Sequence, residues 1–303
     1  MTSEAVGTGP LPAANRADPQ VSRRNGPDRR RPRIGPVVSQ VLLTLVALLF
    51  LAPMIWMVLS ALKPGAEVFT TPPKLFGSDV EWGNFTAAWS YLPFGRFILN
   101  TLLVASIGTL ITVVTSAMSA YAFARLRFRF RDGLFLLYLS TLIVPQEIIV
   151  IPMFLIMQRL GWVNSFQALI LPWAFTAFGT FLLRQFFLTI PLELEEAAKI
   201  DGAGHVRILT AVIAPIAAPA FAVLGVFTFI AYWNSFLWPL IIINDTDHVT
   251  VPLGLQLFLG QNGQQWQLLM AAATISMAPT VLLVLALQKY LVRGIALSGL
   301  GGR

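Results

Sequence analysis

Glu147 is the acidic residue whose position is most suited to chemistry inside a membrane. It is the only one of the 14 Asp and Glu residues that falls well inside a long apolar run, between Pro145 and Pro152. A carboxylate at that depth is costly unless it faces protein or a wet cavity. Two interpretations stay open: Glu147 hydrogen-bonds a neighbouring backbone for structural reasons, or it lines a polar pathway at mid-membrane.

A second unusual stretch is the segment 191–215, PLELEEAAKIDGAGHVRILTAVIAP. Pro191 can begin a helix, and the positive end of the helix dipole favours carboxylates in its first turns. Three such carboxylates follow: Glu193, Glu195 and Glu196. Gly202 and Gly204 then supply a permissive turn before a second helical stretch from about His205. The pattern predicts a helix, a bend and a helix, suited to docking on a soluble partner; an ordinary amphipathic loop is the alternative.

Other chemistries find no support in the residue types. Cysteine is absent and the two histidines, His205 and His248, lie far apart, which excludes thiolate metal sites and gives no metal-ligand spacing. No lysine follows a glycine, so the chain has no phosphate loop and cannot hydrolyse ATP by that route. The lysines are Lys63, Lys74, Lys199 and Lys289.

The composition indicates a membrane protein. Of the 303 residues 56% are hydrophobic and 12% charged, and the mean hydropathy is +0.72. A soluble domain has about twice that charged fraction. Six apolar runs each have the roughly 20 residues that cross a hydrocarbon core, which predicts an all-α protein with six transmembrane helices, kinked by internal prolines. The predicted spans are about 37–62, 97–124, 133–157, 167–190, 216–243 and 267–292.

The basic residues predict the orientation of these spans. With the N-terminus inside, inner segments carry 17 of the 21 Lys and Arg residues and outer segments carry four. Because Lys and Arg near span ends are retained in the cytoplasm, both termini and the segment 191–215 are expected there. Residues 1–36, with seven arginines and six prolines, are predicted to be a disordered cytoplasmic tail that contacts anionic lipid. The net charge of +7 therefore requires no nucleic-acid partner.

Residues of the segment 191–215 resemble the EAA motif of permease subunits of ATP-binding-cassette importers. The matching positions are Glu196, Ala197, Ala198, Asp201, Gly202, Ala203, Val212 and Pro215. Ala214 departs from the motif, because leucine usually precedes the proline. Further likeness to the carbohydrate-importer subfamily of maltose, multiple-sugar and glycerol-3-phosphate type lies in Asn100-Thr101, in 120–126, in Pro145 with Glu147, in Leu171-Pro172 and in 233–239. The likeness covers most of the membrane domain, 37–303.

The resemblance implies a type I importer permease fold in a bacterial inner or plasma membrane, with 191–215 as the coupling segment. Glu196 would contact an ATPase subunit, Ala197 and Ala198 would permit close packing, and Gly202 would allow the bend. The expected partners are a second permease in a heterodimer, two ATPase subunits and an extracytoplasmic solute-binding protein. This chain is expected to bind no cofactor and to be no enzyme, since ATP and Mg²⁺ belong to the ATPases. The piece from Arg293 to Arg303 is expected to reach the ATPase interface as well.

A carbohydrate path is expected to combine aromatic faces with hydrogen-bonding groups. The candidates are Gln146, Glu147, Trp233, Asn234 and Trp238. At helical spacing, Trp233 falls on one side and Asn234 and Trp238 on another, so both faces cannot line one path equally. The outer loops 63–96 and 244–266 are polar enough to receive a binding protein, although loops in water are polar anyway. The alternative function is an ion-coupled secondary transporter that uses Glu147.

Overall fold

The computed structural model describes residues 34–260 and 265–300, with side chains for 38–260 and 265–289. The predicted tail therefore lies outside the described residues, apart from 34–36, which already belong to the first helix. Over the described ranges the regular structure is helical. The helices are α1 (Ile34–Ala61), α2 (Gly83–Tyr91), α3 (Phe94–Arg125), α4 (Arg131–Ser140), α5 (Gln146–Arg159), α6 (Phe166–Ile170), α7 (Ala177–Leu188), α8 (Glu193–Ile200), α9 (His205–Arg207), α10 (Ala214–Ile216), α11 (Ala218–Trp233), α12 (Leu237–Ile242), α13 (Val251–Leu257) and α14 (Trp266–Leu300).

The chain divides into two units, one ending at Leu51 and the other running from Ala52 to the C-terminus. The described part of the first unit, 34–51, is helical throughout and carries no charged residue. The second unit holds the packed core and the segment 191–215.

Three of the six predicted spans are single long helices among the described residues. They are Val38–Ala61, Phe94–Arg125 and Trp266–Lys289. The predicted third and fourth spans are pairs of helices with a sharp break between their halves, of 99° between Ile143 and Gln146 and of 47° between Trp173 and Ala177. The breaks fall beside Pro145 and Pro172, as expected for residues that lack a backbone donor. The helices continue through Pro53, Pro152 and Pro279.

Glu147 lies between Pro145 and Pro152 in the first turn of α5, directly after the 99° break. The prediction of the fifth span, 216–243, needs correction, because that stretch is not one helix: α11 ends at Trp233 and α12 begins at Leu237. Pro239 explains this difference, since its ring would clash with the carbonyl of Ser235 in a continuous helix.

The break in the fourth span frees backbone carbonyls, and side chains of neighbouring helices satisfy three of them. Tyr232 Oη donates to Ile170 O at 2.9 Å and Trp238 Nε1 donates to Ala168 O at 2.8 Å. Thr115 Oγ1, from α3, donates to Ala174 O at 2.8 Å. An unpaired carbonyl in hydrocarbon would cost several kcal/mol, so these bonds make the irregular backbone tolerable at membrane depth.

Helix α3 lies at the centre of the second unit and packs against α7 and α11. Small residues make the close approach possible. A Cβ atom on Gly108 would lie 2.6 Å from the ring of Tyr232 on α11, and one on Gly179 of α7 would lie 2.4 Å from Ser116 Oγ on α3. Glycine at these two positions therefore lets the backbones of neighbouring helices meet.

We expect Gly108→Ala to destabilise the folded chain by about 1–3 kcal/mol, because the added methyl group overpacks the contact with Tyr232. Gly225→Ala is the matched control on α11, since nothing lies within 4 Å of the position its Cβ would occupy. Thermal unfolding of the two variants in the same detergent tests the expectation. Equal unfolding midpoints for Gly108→Ala and Gly225→Ala would show that the α3–α11 contact accommodates the added methyl group without loss of stability.

Candidate functional site

The segment 191–215 folds as the sequence predicts. Helix α8 begins at Glu193, and its first turn carries Glu193, Glu195 and Glu196. Carboxylates there are favoured by the helix dipole. The chain then bends, and α9 begins at His205, followed by a stretch of π-helix from Ile208 to Ile213 and by α10.

The bend after α8 depends on Gly202, which has a φ of +79°. The Ala203 N–H donates to Ala198 O at 2.9 Å and the Gly202 N–H donates to Lys199 O at 3.0 Å. These two bonds form the Schellman arrangement that ends a helix with a left-handed residue. A side chain with a Cβ is strained in that conformation, so the glycine of the EAA motif has a direct structural reason.

One face of the segment packs onto the core. Ile208 and Ile213 are fully buried in a cluster with Leu183 and Phe187 of α7 and with residues of α3 and α11. Ala198 and Ala203 are partly buried against the same cluster. The small size of these two alanines lets α8 lie close to the ends of the spanning helices.

The opposite face is exposed and apolar at the bend. Ile200 is 87% exposed and Val206 is 76% exposed, one on each side of Gly202 and Gly204. Ala197 and Glu196 are exposed as well. The structure thus presents two unprotected aliphatic side chains at the tip of a protruding turn.

A buried ion pair joins α8 to the end of α3. Arg125 Nε lies 2.5 Å from Glu195 Oε1, and the two side chains are 5% and 2% exposed. The same guanidinium donates from Nη2 to Phe187 O at 2.6 Å and to Ile190 O at 2.7 Å. Arg125 therefore neutralises a buried carboxylate and also satisfies carbonyls at and just beyond the C-terminal end of α7, where the helix dipole favours a cation.

Three further contacts join helices near the C-terminal end of α3. Tyr121 Oη of α3 lies 3.1 Å from His205 Nδ1 at the start of α9. Arg184 of α7 donates from Nε to Phe123 O of α3 at 3.2 Å, and its guanidinium lies 4.2 Å from the centre of the Phe135 ring. The second half of the segment is thus tied to α3 in its own right.

A groove of about 1090 Å³ opens beside α8. Its walls are the ends of α3 and α7 and the exposed flank of α8, and its lining is strongly charged. The charged and titratable residues that line it are Arg125, Arg127, Arg131, Glu193, Glu196, Lys199 and His205. Among the described residues no group of three His, Cys, Asp or Glu side chains could hold a metal ion.

The predicted pathway residues separate into two groups. Gln146, Glu147 and Asn234 are exposed. Trp233 and Trp238 are buried at 2% and 4% exposure.

The two tryptophans share a structural role. Trp233 Nε1 donates to Ser276 O of α14 at 3.1 Å, and Trp238 Nε1 donates to a carbonyl of α6. Burial groups Trp233 with Trp238 and separates both from Asn234, contrary to the division expected from helical spacing. The reason is that the chain leaves the helix between Trp233 and Leu237. In this conformation the indoles hold helices together.

The Asn100-Thr101 pair anchors the loop that precedes α13. Asn100 Nδ2 donates to Asp247 O at 2.7 Å and to Val249 O at 2.9 Å. Thr101 Oγ1 accepts a hydrogen bond from the Val251 N–H at 2.7 Å. The family resemblance included this pair but gave it no role. In the structure its role is to hold the loop before α13 by three hydrogen bonds.

Sequence reasoning missed the most consequential residues of the site, Arg125 and Glu195, as partners. Glu195 was interpreted only through the helix dipole, and Arg125 only through the charge count and the family likeness of 120–126. A signal was present: Glu195 lies three residues before Ala198, on the face of α8 that packs inward, and a carboxylate on a buried face needs a cation.

Comparisons with known proteins agree with this geometry. Residues 112–297 match the family model described as binding-protein-dependent transport system inner membrane component. The sn-glycerol-3-phosphate transport system permease protein UgpE of Pectobacterium atrosepticum is 36% identical over 267 residues, which cover 86% of this chain and 95% of that protein. The trehalose/maltose transport system permease protein MalG of Thermococcus litoralis is 35% identical over 263 residues, 85% of this chain and 94% of that protein.

A solved structure shares the fold. A bacterial ABC transporter involved in the import of the acidic polysaccharide alginate matches with a TM-score of 0.74 and 26% identity, over 86% of this chain and 97% of that chain. The fold is therefore that of a polytopic ABC importer permease. The chain belongs to the family of binding-protein-dependent transport system inner membrane components and is a transport permease subunit. These findings confirm the resemblance and do not favour an ion-coupled carrier.

We expect Glu195→Gln to lower the free energy of unfolding by about 3–5 kcal/mol, because the substitution leaves the buried Arg125 guanidinium without its counter-charge. Glu193→Gln is the matched control, since it makes the same change at an exposed position of the same helix. Thermal unfolding of the purified chain in detergent distinguishes them. If both variants shift the midpoint equally, the buried pair does not hold α8 in place.

Proposed function

We propose that this chain forms, with a second permease subunit, the path by which a carbohydrate or a related polyol or glycerol phosphate enters a bacterial cell. The relatives named above are described as transporting glycerol 3-phosphate and trehalose or maltose, and the structural relative imports alginate. All of these solutes carry hydroxyl groups. The assembly is completed by two ATPase subunits, which bind ATP and Mg²⁺, and by an extracytoplasmic solute-binding protein.

The observation that carries the proposal is the exposed apolar turn between α8 and α9. Ile200 and Val206 lose water contact only if another surface covers them. Nothing lies within 4 Å of the positions that Cβ atoms of Gly202 and Gly204 would occupy, so a partner can approach the backbone itself. A cleft on an ATPase subunit fits this shape, with Glu196, Ala197, Ala198, Asp201, Gly202 and Pro215 as the proposed coupling residues.

The charges support the orientation that the proposal needs. An excess of 17 basic residues over four favours a topology with both termini and the segment 191–215 on the cytoplasmic side, where ATP is available. The terminal piece from Arg293 onward would reach the same side, although its side chains lie outside the described residues.

The buried pair gives the docked segment a connection to the membrane domain. A displacement of α8 acts through Glu195 on Arg125, and so on α3 and on the carbonyls at the end of α7. Closure of two ATPases would therefore move spanning helices rather than bend a loose loop. The interaction with Tyr121 extends the same connection to α9.

We expect Ile200→Glu to prevent co-purification of the ATPase subunits, because it places an unpaired carboxylate in an apolar interface. Glu196→Lys should weaken co-purification by charge reversal in the same segment. Val80→Glu is the matched control: Val80 is 63% exposed in the loop predicted on the outer side. Affinity purification of the tagged chain with quantification of ATPase tests both. Loss of the ATPase in Val80→Glu alone would reverse the proposed orientation.

For the solute path we propose the exposed polar residues Gln146, Glu147 and Asn234, at the two breaks in the spanning helices. Trp233 and Trp238 are buried in this conformation. They could line the solute path only in another conformation of the transporter, in which their packing would have to change. Polar groups at helix breaks in the membrane suit a solute with many hydroxyl groups, since freed backbone groups also offer hydrogen bonds there.

We expect Glu147→Ala to slow solute uptake by about tenfold or more while the complex still assembles, because a buried hydrogen bond from a solute to a charged group contributes about 1.5–3 kcal/mol. Glu81→Ala, at an exposed position of the first outer loop, is the control. Uptake of radiolabelled solute into vesicles, normalised to the amount of assembled complex, measures both. Wild-type uptake by Glu147→Ala would remove Glu147 from the path.

A further inference from the structure

The loop between α3 and α4 is a basic and aromatic surface that coupling to an ATPase does not require. Five residues, 126–130, connect two predicted spanning segments. Fully extended, they cover about 18 Å, so no part of the loop lies further than about 9 Å from the helix ends. Because the predicted span 97–124 ends two residues before residue 126, we place the loop near the lipid headgroups.

The side chains of this loop alternate between cations and aromatic rings. Phe128 is 41% exposed and Phe130 is 68% exposed. Arg127 and Arg129 are exposed too, and the Arg129 guanidinium lies 4.7 Å from the centre of the Phe130 ring. Phenylalanine rings beside arginine side chains are typical of segments that lie in the membrane interface, with the rings in the boundary between headgroups and acyl chains and the cations near the headgroups.

The positive charge of the loop is not cancelled within the described part of the chain. The carboxylate next to the loop in sequence, Asp132, is paired with Arg131 at 3.0 Å and lies 3.9 Å from Arg184. No ion pair to Arg127 or Arg129 is formed by the described residues. A cavity of about 440 Å³ opens at the loop, and its lining residues are Arg127, Phe128, Phe130, Arg131, Asp132 and Gly133.

We propose that this loop binds the phosphodiester headgroup of an anionic phospholipid. Arg127 and Arg131 face one cavity, and a guanidinium can hold two phosphate oxygens at once. Phe128 and Phe130 would lie against the acyl chains and glycerol backbone of the same lipid. Depth in the membrane selects a lipid over a soluble anion, and charge selects an anionic lipid over a zwitterionic one.

Lipid bound at this site would also influence transport. Arg127 and Arg131 line both this cavity and the larger groove beside α8. An occupied headgroup site would thus lie next to the coupling segment, and lipid composition would influence how firmly α8 is held. This consequence rests on the proposed function; lipid binding itself does not.

The test measures lipid retention by the complete importer without ATP or solute. The purified complex is stripped of lipid, titrated with phosphatidylglycerol and examined by native mass spectrometry. We expect wild-type complex to retain the lipid and the double variant Arg127→Gln, Arg131→Gln to need about fivefold more lipid for each arginine removed. The double variant Arg127→Lys, Arg131→Lys keeps both charges but loses the planar guanidinium groups, so it should bind more tightly than the glutamine variant and less tightly than the wild type, which separates lost charge from lost folding.

Arg159→Gln is the matched control. Arg159 is the last residue of α5, is exposed, and forms no ion pair with described residues. Retention should be unchanged in it, and phosphatidylcholine should not replace phosphatidylglycerol. Equal retention by wild type and the double glutamine variant would overturn the proposal. Displacement of the lipid by free glycerol phosphate would overturn it in favour of a soluble anion. Since transport is not measured, neither result depends on the proposed solute.

Discussion

The structure of the coupling segment depends on one buried ion pair, between Arg125 and Glu195. Two charges at 5% and 2% exposure are expensive to desolvate, and an isolated pair of this kind adds little net stability. Here the guanidinium also donates to two carbonyls near the end of α7. One side chain thereby joins α3, α7 and α8. These three helices cannot separate without exposing an unpaired charge, so the pair provides specificity of position more than stability.

This constraint explains why the segment has two unlike faces. The inner face combines small alanines with buried isoleucines, which lets α8 lie flat against the bundle. The outer face leaves Ile200 and Val206 exposed, at 87% and 76%. The segment is thus attached to the bundle on one side and has an apolar tip on the other.

At the breaks in the spans, too, buried polar groups need partners within the protein. Irregular backbone is tolerated at membrane depth only where protein supplies partners. Tyr232, Trp238 and Thr115 supply them to the break before α7. Trp233 and Trp238 therefore serve the packing of this conformation, while Asn234 and Glu147 are exposed.

Much of this protein was determined by its sequence alone. Apolar run lengths predict the spans, and Pro191 and Gly202 predict the helix and bend of the segment 191–215. These are local properties, set by hydropathy and by backbone conformation of single residues. The partner of Arg125, the burial of Trp233 and Trp238 and the exposure of Ile200 were decided only by the tertiary structure. Each depends on which helices lie side by side, and a charge or an indole finds its partner across 40 to 70 residues of chain that no local pattern encodes.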